Sequence, residues 1–182
     1  MSLNERFPLK APYFQKDRWV SPYNFHPEAF PEHLKGKAVY IYDVTLRDGE
    51  QLPGVAFTEE ERVRIGVALA ELGVARIETG MPKISESVFR ATKRLAEMGL
   101  GVQFVPQCRA EMDDVALTAE TGAGAIVIVH TINPYHCHYA FNLEPAALIE
   151  RLVTACRYAK EQGLHTSFMA SDVFRCDMAF IR

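Results

Sequence analysis

Paired cysteines are missing from this 182-residue chain: its four, Cys108, Cys137, Cys156 and Cys176, form no C-x-x-C pair. That scatter argues against a disulfide framework and for a reduced, cytoplasmic protein. Runs of Lys and Arg are also missing and the net charge is -3, which argues against a nucleic-acid partner. The opening MSLNERFPLKAPYFQKDRW lacks the apolar h-region of a signal peptide. No apolar run approaches the ~20 residues needed to cross a bilayer, so neither secretion nor a membrane partner is expected. What is present is an ordinary globular composition, 48% hydrophobic and 24% charged, in a chain long enough for one domain with a sizeable core.

Residues 1–36 are rich in proline and aromatics, including Phe7, Pro8, Tyr13, Trp19 and Phe25, and show no periodicity. They read as an irregular arm that either packs on its own domain, as aromatics tend to be buried, or reaches a partner subunit. From Lys37 a rhythm sets in. Val39–Leu46 reads as a strand, and Thr58 with Glu61 forms a capping box for a helix that stops at Gly73. Strand 74–79 is followed by a helix from about Ser85 to Met98, with Val88, Ala91, Leu95 and Met98 on one face. Strand 102–106 leads to a helix over 112–121, and strand 125–130 leads through a loop to a helix over about 144–162. That last helix has Asn142 as its expected cap, Pro145 in the first turn and Gly163 as its stop. A fifth strand, 166–170, follows.

Five β/α units with near-continuous apolar strands predict an α/β fold with a parallel sheet covered by helices. The pattern fits either the front part of a (β/α)8 barrel or a smaller open sheet. In both, functional groups gather at the carboxyl ends of strands. Those positions hold Arg47, Asp48 and Gln51; Glu78 and Thr79; Gln107 and Arg109; His130 and Thr131; and Ser171, Asp172 and Arg175. Carboxylates and arginines facing one mouth suit a hard divalent cation and a carboxylate-bearing substrate.

The segment Asp43-Val-Thr-Leu-Arg-Asp-Gly-Glu-Gln-Leu-Pro-Gly54 resembles the D-T-T-L-R-[DE]-G-E-Q-[ST]-P-G signature of one metal-dependent family. It is the family of 2-isopropylmalate synthase, homocitrate synthase and hydroxymethylglutaryl-CoA lyase. The chain departs from the signature at Val44 and Leu52. IETGMP is similar to the family's I-E-x-G-x-P, CRAEMDDVALTAETGA to the segment after the third strand of homocitrate synthase, and FMASDVFRCD to F-S-x-E-D-x-x-R-x-D, with Ser171 where Glu is usual. The resemblance covers residues 37–182 and implies the N-terminal part of a TIM (β/α)8 barrel, a partial barrel of about five units.

It also implies a divalent metal (Mg, Mn or Zn) held by Asp48, and a homo-oligomeric enzyme that adds an acetyl-CoA enolate to a 2-oxo acid and then hydrolyses the thioester. Arg47 would stabilise the developing oxyanion, and Glu78 would orient Arg47 or a metal-bound group. Arg109 would fork onto the substrate carboxylate, and Gln51, Thr131 and Asp172 would line the pocket. The intact Gln51-Leu52-Pro53-Gly54 favours synthesis over a lyase running the reaction in reverse; a non-catalytic fragment that binds or assembles is the third reading. The family completes its metal site with an H-x-H pair on a later strand. His136-Cys137-His138 follows the turn signal Asn133-Pro134 and is read as a loop or substrate-facing pair rather than as that ligand set. Cys108 reads as a buried, inert thiol.

Overall fold

The first strand, β1 (Tyr42–Asp43), is stopped by its own last side chain. The Asp43 carboxylate accepts hydrogen bonds from the Thr45 amide at 2.9 Å and the Thr45 hydroxyl at 3.2 Å, a local turn that competes with further strand pairing. The amides of Arg47, Asp48 and Gly49 then converge on the Val44 carbonyl, so the strand expected over Val39–Leu46 pairs over two residues only. The structure, a computed structural model, describes residues 36–182. The arm expected over residues 1–36 lies outside the described residues except for Gly36. Residues Tyr40–Arg182 group as one unit.

After a 3-10 turn at Gly49–Gln51 come α1 (Glu59–Leu72), β2 (Arg76–Ile77), α2 (Glu86–Glu97), β3 (Gln103–Phe104), β4 (Gln107–Arg109) and α3 (Met112–Ala119). Then follow β5 (Ala125–Thr131), α4 (Pro134–Phe141), α5 (Pro145–Glu161), β6 (His165–Ser171), a 3-10 turn at Val173–Arg175 and α6 (Met178–Ile181). The capping box is present at α1: Glu61 N–H donates to the Thr58 hydroxyl and Thr58 N–H to the Glu61 carboxylate. Gly73, at φ 86°, closes that helix in the left-handed conformation that glycine adopts without steric cost. Glu59 and Glu60 pair across to Arg90 and Arg94 of α2, joining the two outer helices. Gly66 lets them approach, since a Cβ there would meet the Leu95 methyls at 2.8 Å.

Among the described residues every strand pairing is parallel, in the orders β1-β2-β3 and β4-β5-β6. The strand expected over 102–106 pairs at Gln103–Phe104 only, and a further strand, β4, follows beyond Pro106, which has no N–H to give the ladder. The sheet nevertheless continues past it: Gln107 N–H donates to Gly80 O at 2.9 Å and Val127 N–H to Pro106 O at 3.0 Å. Strands therefore lie side by side in chain order with helices between them, the arrangement of a partial TIM barrel.

Two expectations change between β5 and α5. The connection contains a helix, α4, capped by Asn133, whose side-chain oxygen accepts from Tyr135 N–H and His136 N–H, with Pro134 in the first turn. Asn142 does not cap α5. It ends α4 instead, at φ 49°, and α5 starts from Glu144. Asn tolerates the left-handed conformation better than most residues, so a sequence sign of a helix start served as a helix stop.

The strands bury two faces. Ile77 and Phe104 pack with Leu46, Val63 and Leu95, and Cys108, Ile126 and Ile128 pack with Val115, Ala155 and Ala159, all on the helix side. Val105, Ala125 and Val127 form a separate cluster with Met169 on the opposite face. Alternation then fixes which polar side chains leave the helix side.

Candidate active site

The carboxyl ends of β1 and β2 meet at one buried carboxylate. Because Ile77 packs toward the helices, Glu78 points to the opposite face, where it is 1% exposed. Arg47 Nε donates to Glu78 Oε2 at 2.8 Å, and Arg47 Nη1 donates to Asp48 Oδ1 at 2.8 Å. One guanidinium thus bridges a buried carboxylate and an open one, since the Asp48 side chain is 58% exposed. Tyr42 joins them. Its register partner is Arg76, one pleat from Glu78. Partial desolvation, and then the nearby charge of Glu78, push the phenol of Tyr42 well above its ordinary range.

The turn that carries Arg47 is pinned from behind. Leu46 is fully buried, and the buried Arg62 donates to the Leu46 carbonyl at 3.2 Å while pairing with Glu50. The second Glu50 oxygen accepts from Phe57 N–H at 2.9 Å. Of the charges crowded into this segment, Glu50 therefore serves the fold, while Arg47 and Asp48 pair beside Glu78. Gly80, at φ 103°, closes the other side: a Cβ there would sit 3.1 Å from Val88 Cγ1 and 3.4 Å from the Leu46 carbonyl. Gln51 is exposed and, with Arg47, Gly80 and Met81, borders a cavity of about 140 Å³.

A second group forms where β5 and β6 end. The Thr131 hydroxyl accepts from Asn133 N–H at 3.3 Å, and Asn133 Nδ2 donates to Asp172. Arg175 pairs with the other oxygen of Asp172, which stands at φ 60°. The hydrogen bond from Asn133, and then that from Arg175, hold the Asp172 carboxyl below its usual range. Thr131 and Asp172 are therefore brought together through Asn133, a clip across two loops that the sequence reading did not find.

Arg109 is placed differently. Its Nε and Nη2 fork onto Asp114 of α3 at 2.7 and 3.0 Å, and Asp114 is 1% exposed. The planar fork expected for a substrate is occupied by a neighbouring helix. Gln107, two residues earlier on β4, shows the opposite condition. It pairs in register with Val127 while Cys108 sits in the helix-side core, so Gln107 faces away from the helices. It is buried, and its side-chain Nε2 has no hydrogen-bond partner among the described residues. An unpartnered buried donor of this kind costs about 1–3 kcal/mol. The signal in the sequence was its place at a strand end; its lack of a partner needs the structure.

His136 and His138 lie on α4, where residues two apart point to different sides. His138 pairs with Glu144, and the His136 ring lies against Phe141. Spacing that chelates on a strand cannot do so on a helix. Among the described residues no three His, Cys, Asp or Glu side chains gather as a metal site. Asp48 offers one accessible hard oxygen ligand and does not make a centre by itself. Cys108 is buried, and desolvation, with Asp114 nearby, pushes its thiol up to about 12, so it is no thiolate nucleophile. An apolar cavity of about 470 Å³ between α4, α5 and α6 is bordered by His138 but by none of Arg47, Asp48, Gln51, Glu78, Arg109, Thr131 and Asp172.

The family model described as HMGL-like matches residues 38–182. Homocitrate synthase AksA of Methanocaldococcus jannaschii is 40% identical over 157 residues, covering 86% of this chain and 37% of that protein. A probable 2-isopropylmalate synthase of Ignicoccus hospitalis is 37% identical over 145 residues, covering 80% of this chain and 36% of its own length. The chain thus spans between a third and two fifths of the length of these relatives. Among solved structures, the HMG-CoA lyase of Bacillus subtilis superposes with a TM-score of 0.62 at 22% identity, over 76% of this chain and 48% of that one. That likeness supports the barrel architecture. No helix among the described residues is long and apolar enough to cross a membrane.

Proposed function

Because the chain belongs to the HMGL-like family, we propose that it carries the front half of an acyltransferase site that condenses acetyl-CoA with a 2-oxo acid. The observation that carries this reading is the Glu78–Arg47–Asp48 chain of contacts at the ends of β1 and β2, in a chain whose relatives are named as synthases. With Nε held by Glu78 and Nη1 by Asp48, Arg47 Nη2 is the donor left for substrate. When the acetyl-CoA enolate forms its bond to the keto carbon, the keto oxygen takes the electron pair, and a fixed guanidinium stabilises that oxyanion without reorganising. Water then cleaves the thioester and CoA leaves as the free thiol.

Glu78 acts by holding Arg47, and Gln51, Thr131 and Asp172 border the substrate. The assignment of Arg109 to the substrate carboxylate requires its fork to exchange Asp114 for it. Asp48 is this chain's contribution to a divalent cation, Mg, Mn or Zn. Domain 37–182, a homo-oligomeric state and a cytoplasmic location belong to the same reading.

The direct test is release of CoA thiol from acetyl-CoA, screened over 2-oxo acids with Mg²⁺, Mn²⁺ or Zn²⁺. Turnover that needs both substrates supports condensation. Release of acetyl-CoA from a 3-hydroxy-3-methylacyl-CoA would point to the lyase direction, and a folded chain inert in both assays supports the binding fragment. Asp48→Asn should weaken Mn²⁺ binding, followed by electron paramagnetic resonance; an unchanged Mn²⁺ affinity removes Asp48 from the ligand set.

A further inference from the structure

We propose that Gln107 is a substrate-binding residue whose side-chain amide donates to the carboxylate of the 2-oxo acid; this rests on the reading of the mouth given above. Three observations lead to it. Gln107 is buried on the non-helical face of β4, the face to which Glu78 also points from β2. Its backbone is tied to the site, because Gln107 N–H donates to the carbonyl of Gly80, two residues beyond Glu78. Its Nε2 has no partner among the described residues, whereas the guanidinium two residues along the strand already forks onto Asp114 through Nε and Nη2.

A buried amide with no acceptor among the described residues is a standing cost to the fold, and folding alone gives no reason to keep it. A carboxylate is the permanent anion of a small 2-oxo acid and accepts without donating, which matches a donor that lacks only an acceptor. With Arg109 Nε and Nη2 held on Asp114, Gln107 Nε2 is the buried, unpaired donor of β4 on the face to which Glu78 also points.

The test is amide NMR of the 15N-labelled chain with Mg²⁺, titrated with pyruvate, 2-oxoisovalerate and 2-oxoglutarate. The Gln107 side-chain pair is identified by its loss in Gln107→Met. In the wild-type chain that pair should shift in step with the Nε–H of Arg47 on addition of at least one acid. Gln107→Met should weaken binding of that acid about tenfold or more, the loss expected for a hydrogen bond to a charged acceptor. Its melting temperature should stay level or rise, because an apolar side chain of similar shape removes an unpaired donor. A residue with a purely structural role would show the reverse: a lower melting temperature and unchanged affinity. A Gln107 pair that stays still while Arg47 responds overturns the proposal and leaves the keto-acid pocket standing. If neither resonance moves with any of the three acids, the pocket reading itself fails.

Discussion

Removing the Arg47 guanidinium should damage the fold far more than removing the carboxylate it holds. Glu78 is almost wholly buried and Arg47 is partly exposed, with side-chain exposures of 2% and 19%. At a 2.8 Å contact the charge centres are about 4 Å apart, and their attraction at an effective dielectric of about 20 is of order 4 kcal/mol. Arg47→Gln therefore strands a buried charge, and the cost should approach the roughly 3–5 kcal/mol found when one partner of a buried pair is lost. Glu78→Gln leaves a cation that can still pair with Asp48 and reach water, so about 1–2 kcal/mol is expected. The double variant should be more stable than the sum of the two losses, with a coupling of about 2 kcal/mol. Urea unfolding of the four chains measures all three terms. Additivity within about 0.5 kcal/mol would refute the claim that Glu78 positions Arg47.

The buried pin behind the turn should be dispensable for chemistry and costly for order: Glu50→Ala should raise hydrogen exchange across residues 47–57 more than across β5, as Arg62 and Phe57 N–H lose their acceptor. Cys108 has a folded pKa raised from 9.0 to about 12, so its contribution is fully present below pH 9 and is lost as pH rises toward 12. Stability should therefore fall by up to about 1.4 kcal/mol per pH unit on that limb, and Cys108→Ala should flatten it in denaturant titrations at pH 8 to 10.5. Asn133→Ala should free the loop after β5 from that after β6, seen as faster exchange at residues 171–176; unchanged exchange would remove the clip.

The sequence announces the alternating β/α order and the capping box at Thr58 because both are written in local spacing. It also marks Arg47, Asp48 and Glu78, which sit together as expected because two adjacent parallel strands end at one rim. What it could not mark are pairings set by tertiary placement. Arg109 carries a motif that promises a free fork, yet Asp114, five residues on, lies in the first turn of α3 and takes its Nε and Nη2. Asn142 has the composition of a helix cap and serves at the other end of a different helix. The signature segment crowds its charges together without separating Glu50, which holds the backbone, from Arg47 and Asp48, which face out.

The break at Pro106 gives the sheet a seam. One ladder, β1-β2-β3, carries Arg47 and Glu78 at its rim; the other, β4-β5-β6, carries Thr131 and Asp172. Gln107 stands on that seam with its backbone N–H bonded to the first half and its register partner in the second. A small molecule gripped by its side chain would thus sit astride the joint, and any flexing of one half against the other would be felt as a change in the width of the mouth.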